Sequence, residues 1–278
     1  MALTDIGARP SGVESDADFA AWFARLAGRL LNGTDLVVAG AAYRLAELEV
    51  YYHGPGHPDP FAHRDPVQLE NGRWYFHRTG GVHRGGSFKG LDLAFGDGAA
   101  HSGVLIRAVV ASGGAMIDGP SLTVDHVLAK TGAASPAALD RRIGERKVWD
   151  ATAPVFIRSS AEPRDAVVYR TSRVGLSLKR AAGKPDAARF VGRPYRFLTE
   201  PRAVAKGKVN LVLALHRAGQ TPAAIMALTG CPRTAVERYV RDFEDGRRVA
   251  GFEGYVGKEL NTRDLCRLFG TWAATYGG

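Results

Sequence analysis

The first strongly amphipathic segment of the chain lies close to its N-terminus, over residues 16 to 31. Apolar side chains recur there at intervals of three and four positions, at Phe19, Trp22, Phe23, Leu26 and Leu30. This spacing predicts a helix with one buried face. From residue 45 to about residue 112 the pattern changes to short apolar or alternating runs separated by glycine-rich turns. These runs, among them RWYFH, LDLAF and GVLIRAVV, predict β-strands.

Helical and extended patterns mix over the next ninety residues. The segment GPSLTVDHVLAKTG predicts a helix that begins at Ser121 as its cap and stops at Gly132. The segments APVFIR and DAVVYRTSRVGL predict further short strands, and RFVGRPYRFLT closes this part of the chain. We therefore expect an α+β fold, with a mixed, antiparallel, β-rich body and flanking helices over residues 1–203.

After about residue 203 the pattern is helical only, which predicts a second, all-helical domain over residues 204–278. TPAAIMALT and RTAVERYVRDFEDG are two short helical segments joined by a turn that contains glycine, and such a pair resembles a helix-turn-helix. The second helix would present Arg233, Arg238 and Arg241 to solvent, where they could contact DNA. The alternative is an ordinary helical hairpin with a solvated basic face.

Composition and charge narrow the classes of function. The chain has 278 residues, a net charge of +9 and a pI near 9.8, a balance that favours polyanionic partners such as DNA. Its two cysteines, Cys231 and Cys266, form no CxxC pair, which excludes a thiolate zinc site. No signal-like or membrane-spanning run occurs. We expect a cytoplasmic or nucleoid-associated monomer of a bacterial cell, without a membrane partner.

The segment ELEVYYHGPGHPDPFAH carries the first candidate chemistry. In a strand, Glu47, Glu49 and Tyr51 face the same side. If that side lines a cleft, a carboxylate among aromatic rings could serve as a general base. The alternative is an exposed edge strand with two solvated glutamates. His53 and His57 are four apart, but the Gly-Pro-Gly between them excludes a helical ligand pair, so we expect neither a metal nor another cofactor.

Several further segments follow in a particular order: GSFKGLDLAFG, GVLIRAV, DGPSLTVDHVL, SRVGLS and GRPYRFLTEP. Together with the first segment they resemble the alkyladenine (3-methyladenine) DNA glycosylase family, over about residues 40 to 200. That family shows Glu-x-Glu-x-Tyr, an Asp-Pro-x-x-His loop, a strand ending in arginine, a Gly-Pro-Ser helix start and an Arg-Ile/Val-Gly-Val segment. Each motif is short, and their order and spacing carry the resemblance.

The resemblance implies an enzyme that flips one nucleotide out of duplex DNA and hydrolyses its N-glycosidic bond without a cofactor. Glu49 would be the general base that activates water, while Arg107 and the backbone carbonyl of Val174 would hold that water. Tyr51 and His63 would form walls of the base pocket. The carboxylate would also stabilise the oxocarbenium-like sugar.

The stretch WYFHRTGGVHRGGSFKGLD departs from the family's pattern. Tyr75 matches a kept aromatic position, His77 falls near the family's stacking tyrosine, and Asp92 falls near the asparagine that selects the purine. The intercalating tip is replaced by a longer turn, residues 79 to 86. That turn contains His83 and Arg84, and Lys89 follows it. We expect His77, His83, Arg84 and Asp92 to contact the base, and Lys89 to contact DNA.

The departure changes the expected substrate. Alkylated purines are cationic and are attracted to aromatic rings, whereas histidine and arginine add like charge. A neutral, bulky, hydroxyl-bearing pyrimidine would suit such donors. Glucosylated hydroxymethylcytosine in phage DNA is an example of such a base, and the expected role is then antiviral defence. Protonated His63, His77 or His83 could assist the departure of the base. Two alternatives stay open, namely repair of alkylpurines with an ordinary solvated hairpin at the turn, and a catalytically inactive DNA-binding regulator.

Overall fold

The computed structural model describes Thr4 and residues 6 to 277, which form two compact units. The first unit comprises the described residues up to Pro58 together with Ala62–Val168 and Phe197–Thr199. The second comprises Asp59–Phe61, Tyr169–Arg196 and the residues from Glu200 onward. The α+β class expected from the sequence is confirmed.

The N-terminal helix α1 spans Asp16–Gly33, as its apolar spacing predicts. Its first turn is fixed by a capping box, in which the Ser15 hydroxyl accepts from the Asp18 backbone and the Asp18 carboxylate accepts from the Ser15 backbone. The buried stripe contains all five apolar residues expected from the pattern. The helix ends where Thr34 becomes extended and starts the first strand.

Ten strands of the first unit precede residue 160. They are β1 (Thr34–Val38), β2 (Ala41–Gly54), β3 (His57–Pro58), β4 (Asn71–Phe76), β5 (Arg78–Thr79), β6 (Val82–His83), β7 (Leu91–Phe95), β8 (His101–Ala111), β9 (Met116–Asp118) and β10 (Val155–Ser159). The main path of the sheet runs β10-β1-β2-β8-β7-β4, and its pairings are antiparallel. β3 lies beside β2 and β9 beside β8, while β5 and β6 form a separate hairpin.

One face of the sheet is covered by α1 through an aromatic cluster. The Phe19 ring lies 5.3 Å from the Tyr52 ring, and the Trp22 ring meets the Phe95 ring edge-on at 5.8 Å between centroids. Contacts of this kind bury large apolar area, and they stabilise aromatic pairs beyond that burial. Since side chains alternate along a strand, Tyr52 on this face places Glu49 and Tyr51 of β2 on the opposite one.

Two helices follow β9. They are α2 (Pro120–Thr131) and α3 (Pro136–Ile143). Gly132 ends α2 in the left-handed conformation as expected, but the expectation that Ser121 caps this helix is wrong. The cap is Gly119, whose φ of 120° favours glycine, and Pro120 is the first helical residue. The Ser121 hydroxyl lies inside the first turn and donates instead to the carbonyl of Gly86, at 2.9 Å.

The second unit contains one short strand and most of the remaining helices. Residues 169 to 276 provide β11 (Tyr169–Thr171), α4 (Ala187–Val191), β12 (Arg196–Leu198), α5 (Lys208–Arg217), α6 (Pro222–Thr229), α7 (Arg233–Gly246) and α8 (Thr262–Tyr276). Of the apolar run DAVVYRTSRVGL, only Tyr169–Thr171 is a strand. The part of β12 that starts at Phe197 belongs to the first unit, where the amide of Thr199 donates to the carbonyl of Ala46 at 3.0 Å.

The division into compact units falls at a different place from the domain boundary expected between residues 203 and 204. Leu178, Ala187 and Val191 precede that boundary, yet they form one buried cluster with Tyr255 and Trp272. The segment from Tyr169 therefore gains its apolar partners from the C-terminal helices. Such partners are far apart in sequence, so a change in local pattern at residue 203 does not report them.

α6 and α7 form the short helical pair expected from the sequence. Thr221 caps α6 through its hydroxyl, Gly230 ends it in the left-handed conformation, and Pro232 precedes α7. On α7, Val236 and Phe243 are buried, whereas Arg233, Arg238 and Arg241 are exposed. That this pair docks on DNA stays a prediction. None of the helices in the described part of the chain has the length and apolar character needed to span a membrane.

Candidate active site

Four strands of the first unit place one residue each in a row across the sheet, and three of these residues are polar. Tyr75 on β4 pairs with Asp92 on β7, Asp92 pairs with Leu105 on β8, and Leu105 pairs with Glu49 on β2. Directly paired residues project their side chains to the same face. Adjacent strands lie about 4.8 Å apart, so the backbones of Glu49 and Asp92 are separated by about 10 Å.

At the Glu49 end of this row, two carboxylates contact one guanidinium. The Arg107 Nε donates to Glu47 Oε1 at 2.5 Å, and Arg107 Nη1 lies 3.4 Å from Glu49 Oε1. The other oxygen of Glu49, Oε2, accepts from the Tyr51 hydroxyl at 2.8 Å. The expectation that Glu47, Glu49 and Tyr51 share one side of a strand is confirmed by these contacts.

The strand register explains how Arg107 reaches both carboxylates. Leu45 pairs with Val109 and Glu47 with Ala108, and the pairing then resumes at Leu48 with Ile106. Ala46 is thus an extra residue on β2, and Arg107 is an extra residue on β8. Irregularities of this kind bend a strand and re-aim a side chain, and they are common next to active sites.

The trio is almost completely buried. Glu47 and Glu49 have 0% of their surface exposed, and Arg107 has 4%. Burial by itself lowers the pKa of Arg107, but the carboxylates of Glu49 and Glu47 outweigh it, so the pKa lies above the ordinary value for arginine. The sequence suggested a carboxylate among aromatic rings, whereas the structure places a permanent cation next to it. Arg107 and Tyr51 thereby fix the direction of both Glu49 oxygens.

The backbone of Arg107 also holds the start of α2. Its carbonyl accepts from the amide of Gly119 at 2.8 Å and from the hydroxyl of Thr123 at 3.3 Å. The Gly-Pro-Ser helix start and the strand that carries Arg107 are therefore one local structure, although β8 continues past Arg107 to Ala111 and does not end at the arginine.

At the other end of the row, four residues form a second polar cluster. The His77 Nε2 lies 2.7 Å from Asp92 Oδ1, and the Gln68 amide donates to Asp92 Oδ2 at 3.4 Å. The His63 ring meets the His77 ring at 4.3 Å between centroids, and its Nδ1 lies 3.2 Å from the Tyr75 hydroxyl. His63, Tyr75, His77 and Asp92, which the sequence assigned separately to the base pocket, thus lie together.

The surroundings of this cluster change how two of its members titrate. Desolvation of its ring, followed by the neighbouring His77, lowers the pKa of His63 to about 4, although the residue as a whole is exposed to solvent. Burial raises the pKa of Tyr75 above its ordinary value. This direction favours the neutral form of His63 near pH 7, and assistance of the leaving base by a protonated imidazole stays a prediction.

The glycine-rich turn forms the β5–β6 hairpin, and its donors have partners within the protein. His83 Nε2 lies 2.9 Å from Asp140 Oδ2, and Arg78 donates to the same oxygen at 2.6 Å. Arg84 Nε donates to the Thr79 hydroxyl at 2.8 Å. Asp140 lies on α3, so its contacts with His83 and Arg78 attach the hairpin to that helix. His83 therefore helps to hold the hairpin in position.

Lys89, which was expected to contact DNA, and Val174 both lie outside this row. Lys89 follows the hairpin and pairs with Asp125 of α2 at 3.1 Å. Val174 belongs to the second unit, in a segment held by the Asn210 amide, which donates to the carbonyl of Arg173 at 3.3 Å. A role for the Val174 carbonyl in holding water stays a prediction.

Two glycines and Gln68 are parts of the site that sequence reasoning missed. A Cβ at Gly103 would lie 2.6 Å from Asp92 Oδ2 and 2.9 Å from Gln68 Nε2, and a Cβ at Gly90 would lie 2.4 Å from the His77 ring. Each glycine is thus required by close approach of a site residue. For Gly103, a glycine inside an apolar strand was the available signal, whereas nothing in the local pattern marks Gly90 or Gln68.

No protein-family model matches the chain. A protein of Acanthamoeba polyphaga mimivirus, named uncharacterized protein L759, is 28% identical over 207 residues, which cover 68% of this chain and 91% of the viral protein. This similarity extends over most of both chains and carries no functional name.

The lowered pKa of His63 predicts a specific acid response. A histidine whose folded-state pKa lies below its unfolded value contributes stability that is complete above about pH 6.5 and is lost as the pH falls towards 4. We expect the free energy of unfolding to fall less steeply over this window in His63→Phe than in the natural protein. Denaturant titrations at several pH values measure this slope. An NMR titration midpoint of His63 near 6.5 would contradict the assignment.

Proposed function

We propose that the protein is a monofunctional DNA glycosylase. It flips a modified base out of duplex DNA and hydrolyses the N-glycosidic bond, leaving an abasic site. The observation that carries the proposal is the buried Glu49 carboxylate, oriented by Arg107 and Tyr51, at one end of a row that ends in a cluster of aromatic and imidazole side chains. The order of motifs shared with alkyladenine DNA glycosylases supports it.

In the proposed reaction Glu49 takes one proton from a water molecule whose oxygen attacks C1′ of the sugar. The bond between C1′ and the base breaks, and its electron pair leaves with the base. The carboxylate also stabilises the positive charge that develops on the sugar. Arg107 keeps the carboxylate in place, while Glu47 balances the charge of the guanidinium.

The favoured substrate is a bulky hypermodified pyrimidine, such as glucosylated hydroxymethylcytosine in phage DNA, and the role is antiviral defence. Two features support this choice. The imidazole of His77 occupies a position where a pocket for cationic purines would have an aromatic ring. The hairpin tip consists of Gly80 and Gly81, which are exposed and face open space, so the tip itself would not obstruct a bulky sugar.

Two other functions have specific observations in their favour. Excision of alkylated purines is supported by the retained rings of Tyr51 and Tyr75. A DNA-binding regulator without activity is supported by the exposed arginines of α7. The burial of two carboxylates on one arginine favours the enzyme, because such a trio is costly to keep in a protein that only binds DNA.

Matched amide substitutions at the two glutamates test the mechanism. Glu49→Gln keeps the shape of the side chain and removes the base, so we expect abasic-site formation in modified DNA to fall by about three orders of magnitude or more. Glu47→Gln likewise removes one negative charge beside Arg107, and we expect the rate of abasic-site formation to fall by about tenfold or less. Single-turnover rates on one modified duplex measure both.

DNA affinity provides the control for this pair, and it should change little in either variant. Near-normal turnover by Glu49→Gln would remove this residue from the proposed role. Equal losses in the two variants would mean that the charge of the trio, and no specific base, is what activity requires.

The proposed role of α7 predicts the salt dependence of DNA binding. Arg233 pairs with Glu237 of its own helix at 2.6 Å, so Arg238 and Arg241 are the better test. Each phosphate contact contributes about 0.9 to the slope of log affinity against log salt concentration. We expect Arg238→Ala with Arg241→Ala to reduce this slope by about two.

The matched control removes two positive charges from α1, by Arg25→Ala with Arg29→Ala, on the helix that covers the other face of the sheet. Fluorescence anisotropy with an unmodified duplex at several salt concentrations measures all three proteins. If both double variants lower the slope equally, only overall charge matters, and α7 has no docking role.

A further inference from the structure

We propose that the Asp92 carboxylate recognises the amino edge of a cytosine-type base and holds that base in its N3-protonated form while the glycosidic bond breaks. The inference rests on the proposed function and names the substrate class of the same site. Two observations support it: the position of Asp92 in the row, and the hydrogen-bonding groups next to its two oxygens.

Asp92 is a buried acceptor on the same face as Glu49. Only 2% of its surface is exposed, and both of its neighbours at hydrogen-bond distance are nitrogens, from His77 at Oδ1 and from Gln68 at Oδ2. An ionised carboxylate has about four acceptor positions, so each oxygen keeps capacity for a further donor. His77 and Gln68 therefore act as positioning residues that direct the carboxylate.

The spacing of the row suits one base. About 10 Å separate the backbones of Glu49 and Asp92, with only Leu105 between them in the same row. In the next row Tyr51 pairs with Gly103, and the Asp92 carboxylate and the Gln68 amide extend over this glycine. A pyrimidine ring that lies over Leu105, with its sugar carbon near Glu49, would turn its opposite edge towards Asp92.

The chemistry of that edge selects one class of pyrimidine. Cytosine presents an amino donor at C4, and when N3 is protonated it presents a second, parallel donor. A carboxylate accepts this pair in a bidentate manner, as it does from arginine. Uracil and thymine present the O4 acceptor instead. Two acceptor oxygens would then face each other and form no hydrogen bond.

Protonation also solves the problem of a poor leaving group. A proton from solvent binds to N3, and the electron pair of the C1′–N1 bond then moves to N1, so the base leaves as a neutral cytosine tautomer. Water supplies the hydroxyl group that bonds to C1′, and its proton passes to Glu49 and back to solvent. The Asp92 carboxylate balances the positive charge of the protonated ring, which the neighbouring imidazoles and Arg84 by themselves would disfavour.

A pair of substrates that differ only at the C4 edge tests the proposal. Two duplexes of the same sequence would carry either glucosylated 5-hydroxymethylcytosine or glucosylated 5-hydroxymethyluracil. We expect the natural protein to form abasic sites faster with the cytosine form, by about 10- to 100-fold. Its rate on that form should fall as the pH rises, because the N3-protonated base becomes rarer.

Asp92→Asn replaces one acceptor with a donor, which matches the uracil edge. We expect this variant to lose at least about tenfold on the cytosine form and to reverse the order of preference. Asp35→Asn, the same substitution at a buried carboxylate of β1 that pairs with Arg158, is the matched control and should keep the natural ratio. Thermal melting checks that each variant is folded.

The outcomes separate the inference from the proposed function. Equal rates of the natural protein on the two duplexes, or equal losses of a folded Asp92→Asn on both, would overturn the role of Asp92 and leave the glycosylase proposal standing. The natural protein's own preference and pH profile decide the matter if Asp92→Asn does not fold. Failure of the natural protein to form abasic sites in any modified DNA would overturn both.

Discussion

The burial of Arg107 between Glu47 and Glu49 is the interaction on which the site of the first unit depends. It requires the register irregularity that makes Ala46 and Arg107 extra residues, and the Arg107 carbonyl in turn accepts from the start of α2. Removing the guanidinium would leave two buried carboxylates without their cation, a loss on the order of 3–5 kcal/mol. A protein that keeps this arrangement inside a sheet bears a cost that a catalytic carboxylate would explain.

Features set by local sequence could be predicted. The α1 stripe, the strand LDLAF, the α6–α7 pair and the shared side of Glu47, Glu49 and Tyr51 all follow from periods of 3.6 or two residues and from cap chemistry. The row from Tyr75 to Glu49 could not be predicted from local pattern alone, because it depends on which strands are neighbours in the sheet. The resemblance inferred from the order of motifs predicted that the members of this row line one pocket, but it did not give the strand pairing.

Features set by distant partners could not be predicted. His83 was expected to face a ligand, but Asp140, some sixty positions away, accepts from both His83 and Arg78. Gln68 reaches Asp92 across 24 positions, and the segment from Tyr169 finds its apolar partners near the C-terminus. Ser121 failed as a cap for a local reason, since Gly119 supplies a positive φ and Pro120 already begins the helix.

The central claim is that the buried carboxylate cleaves a glycosidic bond and leaves the DNA backbone intact. The most direct measurement is mass spectrometry of the products after the purified protein is incubated with phage DNA that contains glucosylated hydroxymethylcytosine. The account predicts free base that keeps its glucosyl group, together with an equal amount of aldehyde-reactive abasic sites in unbroken strands. Recovery of the DNA with every modified base still attached, under conditions where the protein binds it, would contradict the account.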